Sequence, residues 1–186
     1  MFRQLLRLLP ALVLICLAFF ALSGPRQAAA EGQKTQLYPA DQAVIKQIHH
    51  YRHETWRWQS LMGVRQTPAS RAAEKDPSHT FKLWVRNLWK HRAIRAQRKA
   101  AHPPHRSGWL CIHHFEGAWT DPNPPYYGGL QMDLSFQRTY GRDLLRRKGT
   151  ANHWTPLEQM WVAERAHRSG RGYYPWPNTA RYCGLI

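Results

Sequence analysis

The sequence predicts a mainly α protein, on three observations. Apolar residues recur near helical spacing over residues 41–62 and again over about 80–100, the pattern of a helix with one buried side. Thr155-Pro156-Leu157-Glu158 is a capping box with proline at the first helical position, a strong helix start. Alternating apolar and polar runs, the mark of a half-buried strand, do not occur at any length.

Taken in order, residues 1–30 read as a secretory leader. Arg3 and Arg7 form a positive start, residues 8–22 an apolar run, and Ala28-Ala29-Ala30 a small-residue cleavage site. The run is short of the roughly 20 residues that span a bilayer; a retained N-terminal membrane anchor is the alternative. Cys16 follows Ile15 rather than a small residue, so no lipoprotein anchor is read.

The first helix carries Val44, Ile48, Tyr51, Trp58 and Met62 as its apolar positions, with Asp41 as N-cap and Gly63 as stop. Pro68 and Pro77 mark residues 66–77 as a loop. In the second helix Phe81, Trp84, Val85 and Leu88 share a face. Lys82, Arg86, Lys90, Arg95, Arg98 and Lys99 occupy the rest, and Pro103-Pro104 ends it. Two such helices form a hairpin. It has four readings: packing against the C-terminal domain, because Trp56, Trp58, Trp84 and Trp89 need burial; lying on an anionic membrane; steering along anionic wall polymers; and binding nucleic acid, which no recognised motif supports. The Pro- and His-rich residues 101–107 divide the chain into a basic helical extension, 31–107, and a domain, 108–186.

That domain opens with a short helix in which Leu110, Ile112 and Phe115 face inward and Glu116 sits at the end. Leu134, Phe136 and Tyr140 mark a second, with Asp133 as cap and Gly141 as end. Leu144 and Leu145 then precede a basic Arg146-Arg147-Lys148. The capped helix from Thr155 runs to about Ser169, with Leu157, Met160, Trp161 and Ala163 as its core face. The aromatic tail around Tyr173-Tyr174-Pro175-Trp176-Pro177 reads as irregular.

Charge and cysteine content narrow the setting. The net charge is +16; without residues 1–30 there are 24 basic and 11 acidic residues, or +13. Such a surface attracts polyanions. Outside the leader only Cys111 and Cys183 remain, and an even count in an exported chain pairs as a disulfide. By the chain-entropy model, closing a loop of that size stabilises by about 4 kcal/mol. Two buried thiols are the alternative.

The chemistry concentrates in residues 109–131, WLCIHHFEGAWTDPNPPYYGGLQ. Trp119, Tyr126 and Tyr127 are flat rings that pack on the apolar face of a sugar while their edges hydrogen-bond. Gly128 and Gly129 let backbone approach a ligand closely. One acid, three rings, a Gly-Gly turn and the Gln131 amide form the floor of a carbohydrate cleft.

These motifs, E-G-x-W followed by P-Y-Y-G-G-L-Q, then an aromatic-rich helix and a late W-P…C, resemble the resuscitation-promoting-factor and transglycosylase-like domains of actinobacteria. The likeness covers about residues 109–186. It implies a lysozyme-like fold, Glu116 as catalytic acid and the glycan strands of peptidoglycan as substrate. Two departures stand out: Phe115 holds the place where that family usually has a cysteine before the acid, and the Glu116–Trp119 segment is short.

Cleaving a β-1,4 glycosidic bond requires a carboxylic acid that can protonate the leaving oxygen. Apolar surroundings disfavour a charged carboxyl, and Phe115 and Trp119 flank Glu116 in sequence. A second carboxylate, needed by a hydrolase, would be Asp121 or Asp133, although each also suits a turn or cap. A lytic transglycosylase needs Glu116 alone. Tyr126, Tyr127, Trp119, Asp121 and Gln131 are the expected substrate contacts. His113 and His114 lack the further ligands a metal requires. No serine or cysteine nucleophile motif and no phosphate loop occurs, so neither metal nor cofactor is expected. The sequence therefore reads as a secreted, wall-associated muramidase or lytic transglycosylase. A non-catalytic peptidoglycan-binding module and a cationic cell-surface protein are the alternatives. Peptidoglycan is the expected partner, with anionic wall polymers or a membrane surface beside it and no nucleic acid.

Overall fold

Proline is favoured in the first turn of a helix, where its missing N–H loses nothing, and Pro39 opens α1 (Pro39–Met62). The computed structural model describes residues 39–186, so the leader expected over residues 1–30 lies outside the described residues. Among those described, no helix is long and apolar enough to cross a membrane, and Tyr38–Ile186 form one unit.

Because α1 starts at Pro39, Asp41 lies inside its first turn and is not the N-cap the sequence predicts. Its carboxylate instead crosses to α3 (His79–Ala100), accepting from His79 Nδ1 at 2.5 Å and Lys82 Nζ at 3.0 Å. Lys82, expected on the basic outer side, is fully buried. A buried cation is tolerable where a carboxylate meets it, and Asp41 does so. Ser78 caps α3 by accepting from Phe81 N at 3.2 Å. Trp89, Ala93, Ala96 and Ala100 form its buried stripe. Val44, Ile48 and Trp89 close on Ala73 of the single-turn α2 (Ala72–Lys75), which interrupts the expected loop. Trp84 departs from expectation. It is 59% exposed, stacked on Phe81, because the buried stripe turns through Trp89 and the alanines instead.

The second half comprises α4 (Arg106–Glu116), a two-residue antiparallel pair β1 (Tyr126–Tyr127) and β2 (Met132–Asp133), α5 (Leu134–Tyr140), α6 (Arg142–Lys148), α7 (Pro156–Ala166) and α8 (Pro177–Tyr182). The β pair, Tyr126 opposite Asp133 and Tyr127 opposite Met132, is too short to leave an alternating pattern. The aromatic stretch 173–176 is irregular as expected, and Pro177 then starts α8 rather than continuing the irregular tail.

Residues 159–164 of α7 are buried on every side, as a central helix must be. Its predicted capping box forms, Thr155 Oγ1 accepting from Glu158 N and Glu158 from Thr155 N. Around α7 pack Trp109 and Ile112, Leu130 and Met132, Phe136, Leu144, Trp154, Trp176 and Ala180. The Cys111–Cys183 disulfide joins α4 to the residue after α8.

α7 also receives the hairpin. Met62, Ala100 and Trp161 form a small core, and Trp161 Nε1 donates to Ala100 O at 2.7 Å. The last carbonyls of a helix lack intrahelical partners and carry partial negative charge. In α1, whose own last turn holds no basic residue, Arg165 donates to Ser60 O and Leu61 O, and Arg168 to Met62 O.

Candidate active site at the end of helix α4

α4 stops at Glu116 because Gly117 follows with φ 148°, a backbone that disfavours any side chain. Glu116 is half-buried, and its Oε1 accepts from Thr179 Oγ1 at 2.7 Å. Thr179, on α8, is buried and also lies 3.3 Å from Trp176 O. Three contacts thus line the α4–α8 seam: the disulfide, the Phe115 and Tyr182 rings at 5.8 Å, and the Glu116–Thr179 hydrogen bond.

Phe115 and Trp119 are both turned to other partners. Phe115 is 53% exposed against Tyr182, and Trp119 stacks on His113 at 3.9 Å. The group the structure sets on the carboxylate is therefore a hydroxyl, beside rings engaged elsewhere. That hydroxyl suits an acid that changes protonation state. It donates to the carboxylate; to a protonated Glu116 it becomes acceptor, turning its own hydrogen to Trp176 O.

The Gly-Gly turn adjoins this helix end. A Cβ placed on Gly117 would lie 3.4 Å from Gln131 Nε2 and 3.5 Å from Asp121 Oδ2. Gln131 has a left-handed backbone, φ 45°, and its Nε2 donates to Asp121 Oδ2 and Gly128 O, each at 2.9 Å. Asp121 Oδ1 accepts from Asn123 N and Nδ2, and Asp121 O from Gly128 N. Gly117, Asp121, Gly128 and Gln131 are therefore contiguous, and Glu116 directly precedes Gly117 in the chain. Asp133, the other candidate second carboxylate, caps α5 by accepting from Phe136 N at 2.6 Å. Tyr127 packs half-buried on the core, while Tyr126 is half-exposed.

The paired glycines are explained by protein as much as by any ligand. A Cβ on Gly128, whose φ is 74°, would meet Gln159 Oε1 at 2.5 Å. On Gly129 it would meet His113 Nδ1 at 2.5 Å and Trp119 at 2.7 Å.

Behind the turn lie polar groups that sequence reasoning missed. Gln159 is fully buried on α7, and its Nε2 faces Trp119 O, Ala151 O and Trp154 O. Buried Gln137 donates to Met132 O and accepts from Ala151 N. Glu164, fully buried, accepts from Trp109 Nε1 and His105 N, each at 2.8 Å, and meets His105 Nδ1 at 3.1 Å. Buried polar groups are held by such partners, but nothing in the sequence separates them from solvent-facing residues of an ordinary amphipathic helix. Thr179 likewise carried no signal, standing in a tail read as irregular.

Burial, together with His105 beside it, holds the His167 imidazole below its ordinary value, Glu164 opposing. Among the described residues no group of three or more His, Cys, Asp or Glu is placed to hold a metal ion. A cleft of about 920 Å³ lies between α1, α6 and α7 and is lined by none of the residues around Glu116. No family model matches the chain, and no characterised protein or solved structure is similar to it.

Proposed function

We propose that the protein cleaves the β-1,4 bonds of peptidoglycan glycan strands with Glu116 as its acid, in a lysozyme-like arrangement, as an exported wall-associated protein. The observation that carries this reading is the half-buried Glu116 carboxylate, held by Thr179 at the helix end where Gly117 leads into the Asp121 and Gln131 turn. Glu116 gives its proton to the glycosidic oxygen, and the C1–O bond breaks with its electron pair on that oxygen. The sugar 6-hydroxyl then attacks C1, and its proton returns to Glu116. Thr179 accompanies both transfers by exchanging its roles as donor and acceptor. Asp121 and Asp133 are each engaged locally, in the turn and the α5 cap, which favours the single-acid route and an anhydro-sugar product over hydrolysis. Tyr126, Tyr127, the outer face of Trp119 and the Gln131 side-chain oxygen are the sugar contacts.

The test is Glu116→Gln. Glutamine can still accept from Thr179, so the fold is expected to persist. General acid catalysis contributes about 10²–10⁴-fold, so muropeptide release from purified wall sacculi, read by mass spectrometry, should fall at least about a hundredfold. Undiminished release would remove Glu116 from the mechanism.

A further inference from the structure

The cleft between α1, α6 and α7 is lined by five cationic side chains, Arg57, Arg146, Arg147, Lys148 and Arg165, against two carboxylates, Asp143 and Glu158. Both carboxylates are engaged. Asp143 pairs with Arg146 at 3.4 Å, and Glu158 with Lys148 at 2.7 Å and with its own capping box. Arg57 pairs outside the cleft, with Glu54. Among the described residues neither Arg147 nor Arg165 forms an ion pair. Arg147 Nε reaches only the carbonyl of Asp143.

Arg165 stands out because its charge is partly buried. Its Nη atoms donate to three main-chain carbonyls, those of Tyr140, Ser60 and Leu61, and its Nε is buried without a partner. A charge withdrawn from water is costly unless an opposite charge meets it, and carbonyl dipoles supply only part of that. The cleft floor beside it is apolar, with Trp58, Leu61 and Leu157. Its volume of about 920 Å³ lies at the upper end of ligand sites, which run roughly 300–1,000 Å³. A single small anion would leave most of it unfilled.

We propose that this cleft binds a linear, base-free polyanion with repeating phosphate groups, its phosphates meeting the exposed Arg57 and Arg147 above the partly buried charge of Arg165. Guanidinium groups match phosphate oxygens bidentately, and arginines from three separate helices spread the positive charge along the cleft. The site is independent of cleavage at Glu116: it shares no residue with that region and is expected to work unchanged in Glu116→Gln.

The test uses a short inorganic polyphosphate of defined length and fluorescence anisotropy at several salt concentrations. Arg57 and Arg147 are exposed, so Arg57→Gln/Arg147→Gln leaves the helices intact. A control pair of equal charge, Arg95→Gln/Lys99→Gln, alters exposed residues of α3 that do not line the cleft. The cleft pair should weaken binding about tenfold or more and reduce the slope of log affinity against log salt by about two. The control pair should move affinity by less than about threefold. Equal losses in the two pairs would reduce the effect to net charge and overturn the site. So would tighter binding of an oligothymidylate with the same number of phosphates, which would point to nucleic acid. Binding confined to phosphatidylglycerol vesicles, with none to soluble polyphosphate, would overturn it in favour of a membrane surface.

Discussion

Replacing Thr179 by valine removes the hydroxyl that meets Glu116 while nearly conserving shape. The structure allows its effects to be separated. A hydrogen bond to a charged group contributes about 1.5–3 kcal/mol. Glu116 is half-exposed, so water can replace the lost donor on one side. The buried carbonyl of Trp176 also loses a nearby hydroxyl at 3.3 Å. Together these predict a stability loss of about 1 kcal/mol, a melting shift of about 2–4 °C for a domain of this size. The catalytic effect should be larger. A carboxyl freed to rotate about its side chain loses its aim in the transition state, and about 1.4 kcal/mol of such loss is tenfold in rate. Muropeptide release by Thr179→Val should therefore fall about tenfold in kcat with KM little changed, and Thr179→Ser should recover most of it. Full kcat in the valine variant, or a serine variant no better than valine, would refute the positioning role.

Two further outcomes concern the scaffold. Cys111→Ser/Cys183→Ser should cost about 4 kcal/mol through the lost loop constraint, lowering the melting temperature by about 8–16 °C; calorimetry showing a shift typical of a surface substitution would contradict it. Stability should also fall in two stages on acidification. His167 has a lowered folded value, by burial and then His105, so below the unfolded value of 6.5 the unfolded chain binds the proton first and stability drops. Asp41 is lowered by the hydrogen bond from His79 and then that from Lys82. Its contribution is complete above the unfolded value of 3.8 and is lost as pH falls through the folded one. Denaturant midpoints against pH should show the first stage flattened in His167→Gln and the second unchanged.

The helical class was legible because its signals are local. The Thr155 capping box, the Asp133 cap and the stop at Gly63 depend on a few neighbouring residues, and each forms where it reads. The Cys111–Cys183 pairing was legible by count alone. What escaped depends on contacts distant in sequence. Lys82 looks like one more outward cation until Asp41, 41 positions away, draws it inward. Glu164 looks like a solvent-facing residue of α7 until Trp109 and His105 enclose it. In the candidate site, Glu116, Asp121, Gln131 and the two glycines were readable because they lie within sixteen positions of one another. Thr179, 63 positions on, was not. Even the legible glycines had a reason hidden from the sequence, since His113, Trp119 and Gln159 occupy the space a Cβ would need.

α7 links these long-range contacts. On one side Gln159 holds Trp119 O, the strand of chain leading to Asp121, and Glu164 holds Trp109 at the start of α4. On the other, Trp161, Arg165 and Arg168 hold the ends of the hairpin. Gln159, Trp161, Glu164 and Arg165 alternate along the same eleven-residue helix, and Arg168 follows just beyond its end, so a shift of α7 that suits the hairpin displaces the supports of Glu116 and its turn as well. The helical extension is thus bound to the second half through main-chain carbonyls at Ser60, Leu61, Met62 and Ala100, groups that any residue would supply. Its own side chains can therefore vary in charge without loosening the joint. That leaves the basic surplus of the hairpin free to answer to a partner, and it is on this side of α7, away from Glu116, that Arg165 presents its partly buried charge to the cleft.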